Sequence, residues 1–234
     1  MNHLLEVCLI SVTLAPGITP SVAAQSPAQA MRKGISVELP VTTHAVPMPD
    51  ADQENSLIVS VTEDGDVYLG VNLIGPAALA EKVKGGLPNR TEKLYIKADG
   101  RTKYANVVKI LDAVREAGVE APNLLTAQRD SSESGTLVPP KGLEVLTSPL
   151  LPSGSGATVV QVLNSGQRWP TLKINNERIP RAALQSTLSR LFQNRSEKVV
   201  LLKADGVLPF ANVVDVTDVC RSAGAKVVLV TPGL

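Results

Sequence analysis

The sequence predicts an α+β chain of two tandem two-layer domains, each a small mixed sheet (a β-hairpin plus flanking strands) with two helices on one face. Two observations carry this. The stretch KADGRTKYANVV from Lys97 is answered by KADGVLPFANVV from Lys203, and alignment of Leu94–Gly118 with Val200–Gly224 at an offset of 106 leaves 12 of 25 positions identical. That reads as a duplication. Around both segments the apolar spacing switches between strand and helix periods in the same order, and two helices cover only one face of so small a sheet.

Residues 1–33 read as a signal-like segment and tether. VCLISVTLA, from Val7 to Ala15, is followed by Pro16, Gly17 and Pro20 and then by Val22-Ala23-Ala24, the shape of a secretory signal cut after Ala24. The run is shorter than the ~20 apolar residues of a spanning helix. Because the first residues hold Glu6 and no Lys or Arg, a degenerate anchor or a mis-set start stays open beside export.

Residues 34–129 form the first domain. GISVELP, from Gly34, alternates as an opening strand, and Val41–Asn55 is proline-rich and loop-like. Leu57–Val61 and Val67–Leu69 flank the turn EDGD, a hairpin pattern. Pro76 marks a helix start, with Leu79, Val83 and Leu87 on one face. LYIKAD is a strand leading into a second helix, whose stripe is Tyr104, Val107, Val108, Leu111 and Val114, and Gly118 stops it before a last strand, Asn123–Ala127.

Residues 130–140 (DSSESGTLVPP) form the linker, polar and then proline-stiffened. The second domain, residues 141–234, repeats the order: GLEVLTS opens it, Thr158–Leu163 and Pro170–Ile174 flank NSGQ, and Pro180 starts a helix bearing Leu184, Leu188, Leu191 and Phe192. The last helix begins after Pro209, carries Phe210, Val213, Val214, Thr217 and Cys220, and stops at Gly224 before the strand Lys226–Thr231. Across the linker the copies are expected to unfold as separable units, and Val108→Asp or Val214→Asp to cost its own copy several kcal/mol, about the scale of burying an unpaired charge.

Composition excludes several classes. A net charge of +1 without a long basic run removes the footprint of a nucleic-acid binder, and aromatics at 3 % leave little for stacking bases or sugars. The two cysteines and two histidines match no metal spacing, so no metal or cofactor is expected. Cys220, on the apolar stripe, reads as a small core hydrophobe.

The repeated polar residues Lys97, Asp99 and Asn106, with Lys203, Asp205 and Asn212, are the candidate binding residues. A Lys/Asp catalytic pair is set aside, since no His, Ser or Cys recurs beside it to serve as nucleophile or base. The plainer role for each aspartate is to cap loop amides at a strand end. For each asparagine it is a structural or solvent-facing one. Unpaired sheet edges are the better functional surface, since a strand edge takes up an extended peptide or a second copy.

The GISVELP opening, the EDGDVYLG hairpin, KLYIKADGRTKYANVVKILDAVREAG and the closing NLLTAQ resemble the periplasmic domain of the ExbD/TolR family of biopolymer transport proteins; the second copy is similar through VVLLKADGVLPFANVVDVTDVCRSAGAKVVLVT. The resemblance implies a non-enzymatic role beside an inner-membrane proton-channel subunit and an energy-transducing envelope protein, using proton-motive force for transport or envelope integrity. It also implies a periplasmic place, peptidoglycan as a further possible partner, and domains that act as pairs. The family's usual transmembrane helix, with its proton-passing aspartate, has no counterpart in the sequence as read. The alternative is a free-standing envelope scaffold or cell-wall-binding protein. Two linked copies would then build a pseudo-dimer within one chain.

Overall fold

The computed structural model describes residues 35–53, 56–86, 93–128, 140–149 and 157–231. The signal-like segment, the tether, residues 130–139 of the expected linker and Leu87 lie outside them. Among the described residues the chain is α+β, with two mixed sheets and four α-helices. In chain order the elements of the first half are β1 (Val41–Thr42), β2 (Val46–Pro47), β3 (Leu57–Val61), β4 (Val67–Leu69), β5 (Asn72–Ile74), α1 (Pro76–Gly86), β6 (Leu94–Ala98), α2 (Tyr104–Glu116) and β7 (Asn123–Gln128). Those of the second are β8 (Lys141–Glu144), β9 (Leu146–Ser148), β10 (Thr158–Leu163), β11 (Thr171–Ile174), β12 (Glu177–Ile179), α3 (Leu184–Phe192), β13 (Val199–Ala204), α4 (Phe210–Ser222) and β14 (Lys226–Val230).

The first sheet runs β2-β8-β7-β6-β3-β4-β5, with β1 beside β7, and the second runs β12-β11-β10-β13-β14-β9. Each contains the expected antiparallel hairpin, β3–β4 or β10–β11, joined to a parallel core of β3–β6–β7 or β10–β13–β14. The strand-to-strand connections of these parallel pairs pass through the helices, as parallel pairing requires.

All of β6 is buried because the first sheet is covered on both faces. Leu94, Ile96 and Ala98 join the main core, while Tyr95 packs with Ile58 and Leu125 under Met48 and Ala51. These last two come from the segment around a 3-10 turn at Pro49–Asp52.

Both opening strands differ from the sequence reading. Gly34–Pro40 was expected to alternate as a strand, yet Ile35–Pro40 forms none; the Pro40 carbonyl accepts from the Ala127 amide of β7 (2.9 Å) and only Val41–Thr42 aligns, parallel, with that strand. The reason is competition for main-chain groups: the Glu38 amide donates to Asp99 Oδ2 (3.0 Å) and the Glu38 carbonyl accepts from the Gly100 amide (2.8 Å). GLEVLTS is divided at Val145. Its first part, β8, pairs antiparallel with β7 in the first sheet, and its second part, β9, pairs parallel with β14 in the second.

Helix positions follow the spacing more closely. α1 begins at Pro76 and α4 just after Pro209, whereas after Pro180 a 3-10 turn at Arg181–Ala183 delays α3 to Leu184. Leu79, Val83, Leu184, Leu188 and Phe192 are all buried. Thr217 enters the apolar stripe of α4 by donating its hydroxyl to the Val213 carbonyl one turn back (2.9 Å). Cys220 is buried as a core residue, and burial pushes its thiol up to about 12, far from reactive thiolate chemistry. Val108 is only partly buried and Ile110 occupies the core instead, so the aspartate test belongs at Val214 and not at Val108.

One cluster of buried apolar side chains runs through both halves, from Val59 and Ile96 to Val214 and Leu229. Against the expectation of separable unfolding, a cluster shared in this way predicts that the halves unfold together.

Candidate functional site

The repeated KADG…ANVV segments, 106 positions apart, meet one another. The Tyr104 amide donates to the Leu208 carbonyl (2.8 Å) and the Phe210 amide to the Thr102 carbonyl (2.8 Å). The Ala105 amide donates to the Gly206 carbonyl (2.9 Å) and the Ala211 amide to the Gly100 carbonyl (2.9 Å). Each bond has its counterpart with the halves exchanged. Lys103 and Pro209, also equivalent positions, form an isolated antiparallel bridge.

Small residues make this approach possible. A Cβ on Gly100 would lie 3.3 Å from the Ala211 Cβ, and one on Gly206 would lie 3.0 Å from the Ala105 Cβ. Larger side chains at 105 or 211 would hold the two strand-to-helix loops apart and leave buried amides unpaired, a cost of about 1–3 kcal/mol for each.

A second set of contacts crosses between the halves through Asp-x-x-Arg, present in both α2 (Asp112, Arg115) and α4 (Asp218, Arg221). Asp112 Oδ1 accepts from the Thr231 hydroxyl (2.7 Å) and from Arg115 (2.8 Å), and Arg115 also donates to Thr231 Oγ1 (2.8 Å). Asp218 accepts from the amides of Thr43 (2.8 Å) and His44 (3.0 Å) and meets the His44 ring at 3.2 Å. Arg221 donates to the Glu144 carbonyl (2.5 Å), at the end of β8. Asp112 Oδ2 and the Tyr104 hydroxyl are buried without a hydrogen-bond partner among the described residues. Burial pushes the Tyr104 phenol up, with Asp112 adding to the shift.

These carboxylates were missed in the sequence because an aspartate at the border of an apolar stripe looks solvated. Their identity at both equivalent positions was the available signal.

The candidate residues occupy unequal environments. Lys97 is buried in β6 and engaged, and desolvation lowers its pKa, while Lys203 at the equivalent place in β13 is exposed. Asp99 is 2 % exposed and accepts from the amides of Glu38 and Arg101 (both 3.0 Å) and from the Arg101 guanidinium (both contacts 2.9 Å). Half-buried Asp205 accepts from the Asn164 amide (2.7 Å), and exposed Val207 stands where the first half has Arg101. Asn106 donates to Thr102 Oγ1 (3.2 Å) and its amide group lies against Gly65, where a Cβ would be 2.4 Å away. Asn212 is half-buried, its main-chain amide bound to the Pro209 carbonyl (3.0 Å). The structure thus brings the Asp99-Gly100 and Asp205-Gly206 loops to one junction, with the asparagines in the helices that leave it.

The bonded Arg101 guanidinium, helped by the Arg101 and Glu38 amides, holds the Asp99 carboxyl down to about 2 from 3.8. A carboxyl depressed on folding adds stability above its unfolded pKa, and that stability is lost as pH falls through the folded value. Asp99→Asn should therefore remove at most roughly 2 kcal/mol at neutral pH, less the share screened at the exposed guanidinium. It should also flatten the acid limb of a denaturation series between about pH 4 and 2. An unchanged limb would assign the loop's integrity to other groups.

Among the described residues, no three metal-ligating side chains cluster and no helix is long and apolar enough to cross a membrane. Residues 22–129 match the family described as "Biopolymer transport protein ExbD/TolR". No curated protein and no solved structure matches the chain.

Proposed function

We propose, from the membership of residues 22–129 in the ExbD/TolR family, that the chain is a non-enzymatic binding module on the periplasmic side of an energy-coupled biopolymer transport complex. In this reading the two halves are a duplicated pair held in one chain, which serves beside a proton-channel subunit without needing a second copy. The observation that carries it is the exchange-related set of four main-chain hydrogen bonds between the repeated loops. Covalent linkage gives such an interface an effective concentration in the ~mM range, so a modest contact stays closed.

With Asp99 committed to its own loop, the second half supplies the more available repeated groups, Lys203 above all. Transport proteins of this kind work by binding and relaying, which suits a chain whose repeated carboxylates hold loops and helices in place.

Light scattering of the purified chain should give a monomer, and capture from envelope extracts should retrieve a multi-span proton-channel subunit identified by mass spectrometry. A stable dimer whose halves pair only with those of another chain would reject the internal pair. Failure to retrieve any such subunit would favour a free-standing scaffold.

A further inference from the structure

We propose that the cleft between the β10–β11 loop and β12 binds an extended acidic segment of a partner protein, with Trp169 as its apolar platform and Arg178 and the flanking Arg168 as its charged contacts. This deepens the binding-module reading and rests on it. The cleft has a volume of about 730 Å³, and Ser165, Gln167, Thr171 and Ile179 line it beside Trp169, Arg178 and Arg181. No carboxylate is in its lining.

Trp169 is the chain's single tryptophan and is 52 % exposed. Two guanidinium groups stand by its ring, Arg168 at 5.6 Å and Arg181 at 5.2 Å from the centroid. Such pairing holds each cation flat beside an apolar surface before any ligand arrives, and tryptophan with arginine is the combination that dominates binding hot spots. Asp215 fixes Arg181 through Nε (2.8 Å) and a second contact at Nη2, and Arg178 is steadied by Thr171 Oγ1 at 3.3 Å. Neither Arg168 nor Arg178 has a carboxylate partner among the described residues. Arg178 in the cleft and Arg168 beside its indole wall therefore carry positive charge that no carboxylate among the described residues neutralises, while Arg181 is already paired with Asp215.

The first half shows that this is a local specialisation. Its equivalent hairpin turn holds Glu63, Asp64 and Asp66, with Glu63 paired to Arg101 at 2.9 Å. The second half replaces these acids with Asn164–Trp169, a longer loop free of acids. The sign of the surface is reversed at the same place in the fold.

A polypeptide suits the cleft because its rim is an unfinished sheet edge. Among the described residues β12 is the terminal strand and pairs with β11 alone, so one side of Glu177–Ile179 offers main-chain groups to an extended backbone. Carboxylates of that backbone's side chains would reach the guanidinium groups, and an apolar neighbour would cover the indole.

The single tryptophan makes its own fluorescence the reporter. The full chain is titrated with a blocked peptide of alternating glutamate and valine, with the glutamine–valine peptide as control. The glutamate peptide should shift the emission saturably, weaken with added salt, and bind about tenfold less well to Arg168→Gln/Arg178→Gln, the order of effect for losing close charge pairs. Far-ultraviolet circular dichroism of the variant checks that its fold is kept. Equal binding of the glutamine peptide, or undiminished binding by the variant, would overturn the proposal. So would a concentration-dependent shift without peptide, the mark of a second copy in the cleft, or saturation by an acidic oligosaccharide in place of the peptide. If the glutamate peptide fails while the chain still retrieves a proton-channel subunit, the cleft assignment falls and the broader reading stands.

Discussion

Val214→Asp is expected to unfold both halves together. Val214 is fully buried in α4 and belongs to the core that spans the chain. An aspartate there would sit fully buried among apolar side chains, so the substitution should cost about 3–5 kcal/mol, or roughly 10 °C in melting temperature for a chain of this size. Tyr68, Tyr95 and Tyr104 all lie in the first half and Trp169 in the second, so tyrosine and tryptophan signals report them separately. Coincident transitions are expected in the wild type and in the variant. A tyrosine transition that stays in place while the tryptophan transition drops would mean that the halves fold independently.

Gly142→Val is expected to displace β8 from the first sheet. A Cβ at this position would lie 2.5 Å from the Leu124 carbonyl oxygen and 2.7 Å from the Met48 sulfur. The sulfur ends a flexible side chain and can move, but the carbonyl belongs to β7, the strand next to β8. Relief therefore requires breaking the ladder, and the cost should exceed the usual overpacking range of about 1–3 kcal/mol. Gly142→Ala already carries the offending atom and should show much of the loss. The urea midpoint measures both; a midpoint equal to the wild type's would show that β8 accommodates a side chain.

The helices and hairpins were legible in the sequence because local signals set them. Proline at Pro76 and Pro209 and the four-residue rhythm of Leu184, Leu188 and Phe192 leave few alternatives. Gly118 and Gly224 take φ +93° and +80° at the helix ends, as a left-handed stop requires. The opening strands were not legible. Whether the main chain near Glu38 joins a ladder or ties down the Asp99 loop depends on partners 61 residues away, and nothing in GLEVLTS announces that Val145 divides it between two sheets. The candidate site was half visible: repetition singled out the right loops, yet it pointed to their charged side chains, whereas glycine, alanine and the main chain form the junction. Asp112 and Asp218 went unread for the complementary reason, since partners supplied by the other half are invisible to local periodicity.

The reach of Asp218 back to Thr43 and His44, 175 and 174 positions earlier, also orders events during synthesis. The first sheet has all its strands once Glu144 has been made, but the clamp on its opening segment waits for a residue in the last helix. At about 5–20 residues per second that wait is roughly 4–15 s. For most of that interval the nascent first half must keep its junction groups, Gly100 and Ala105, open until Ala211 and Gly206 arrive to close them. A chain paused there would present an uncapped pairing surface to its neighbours on the same message, where like halves could join in place of the intended ones.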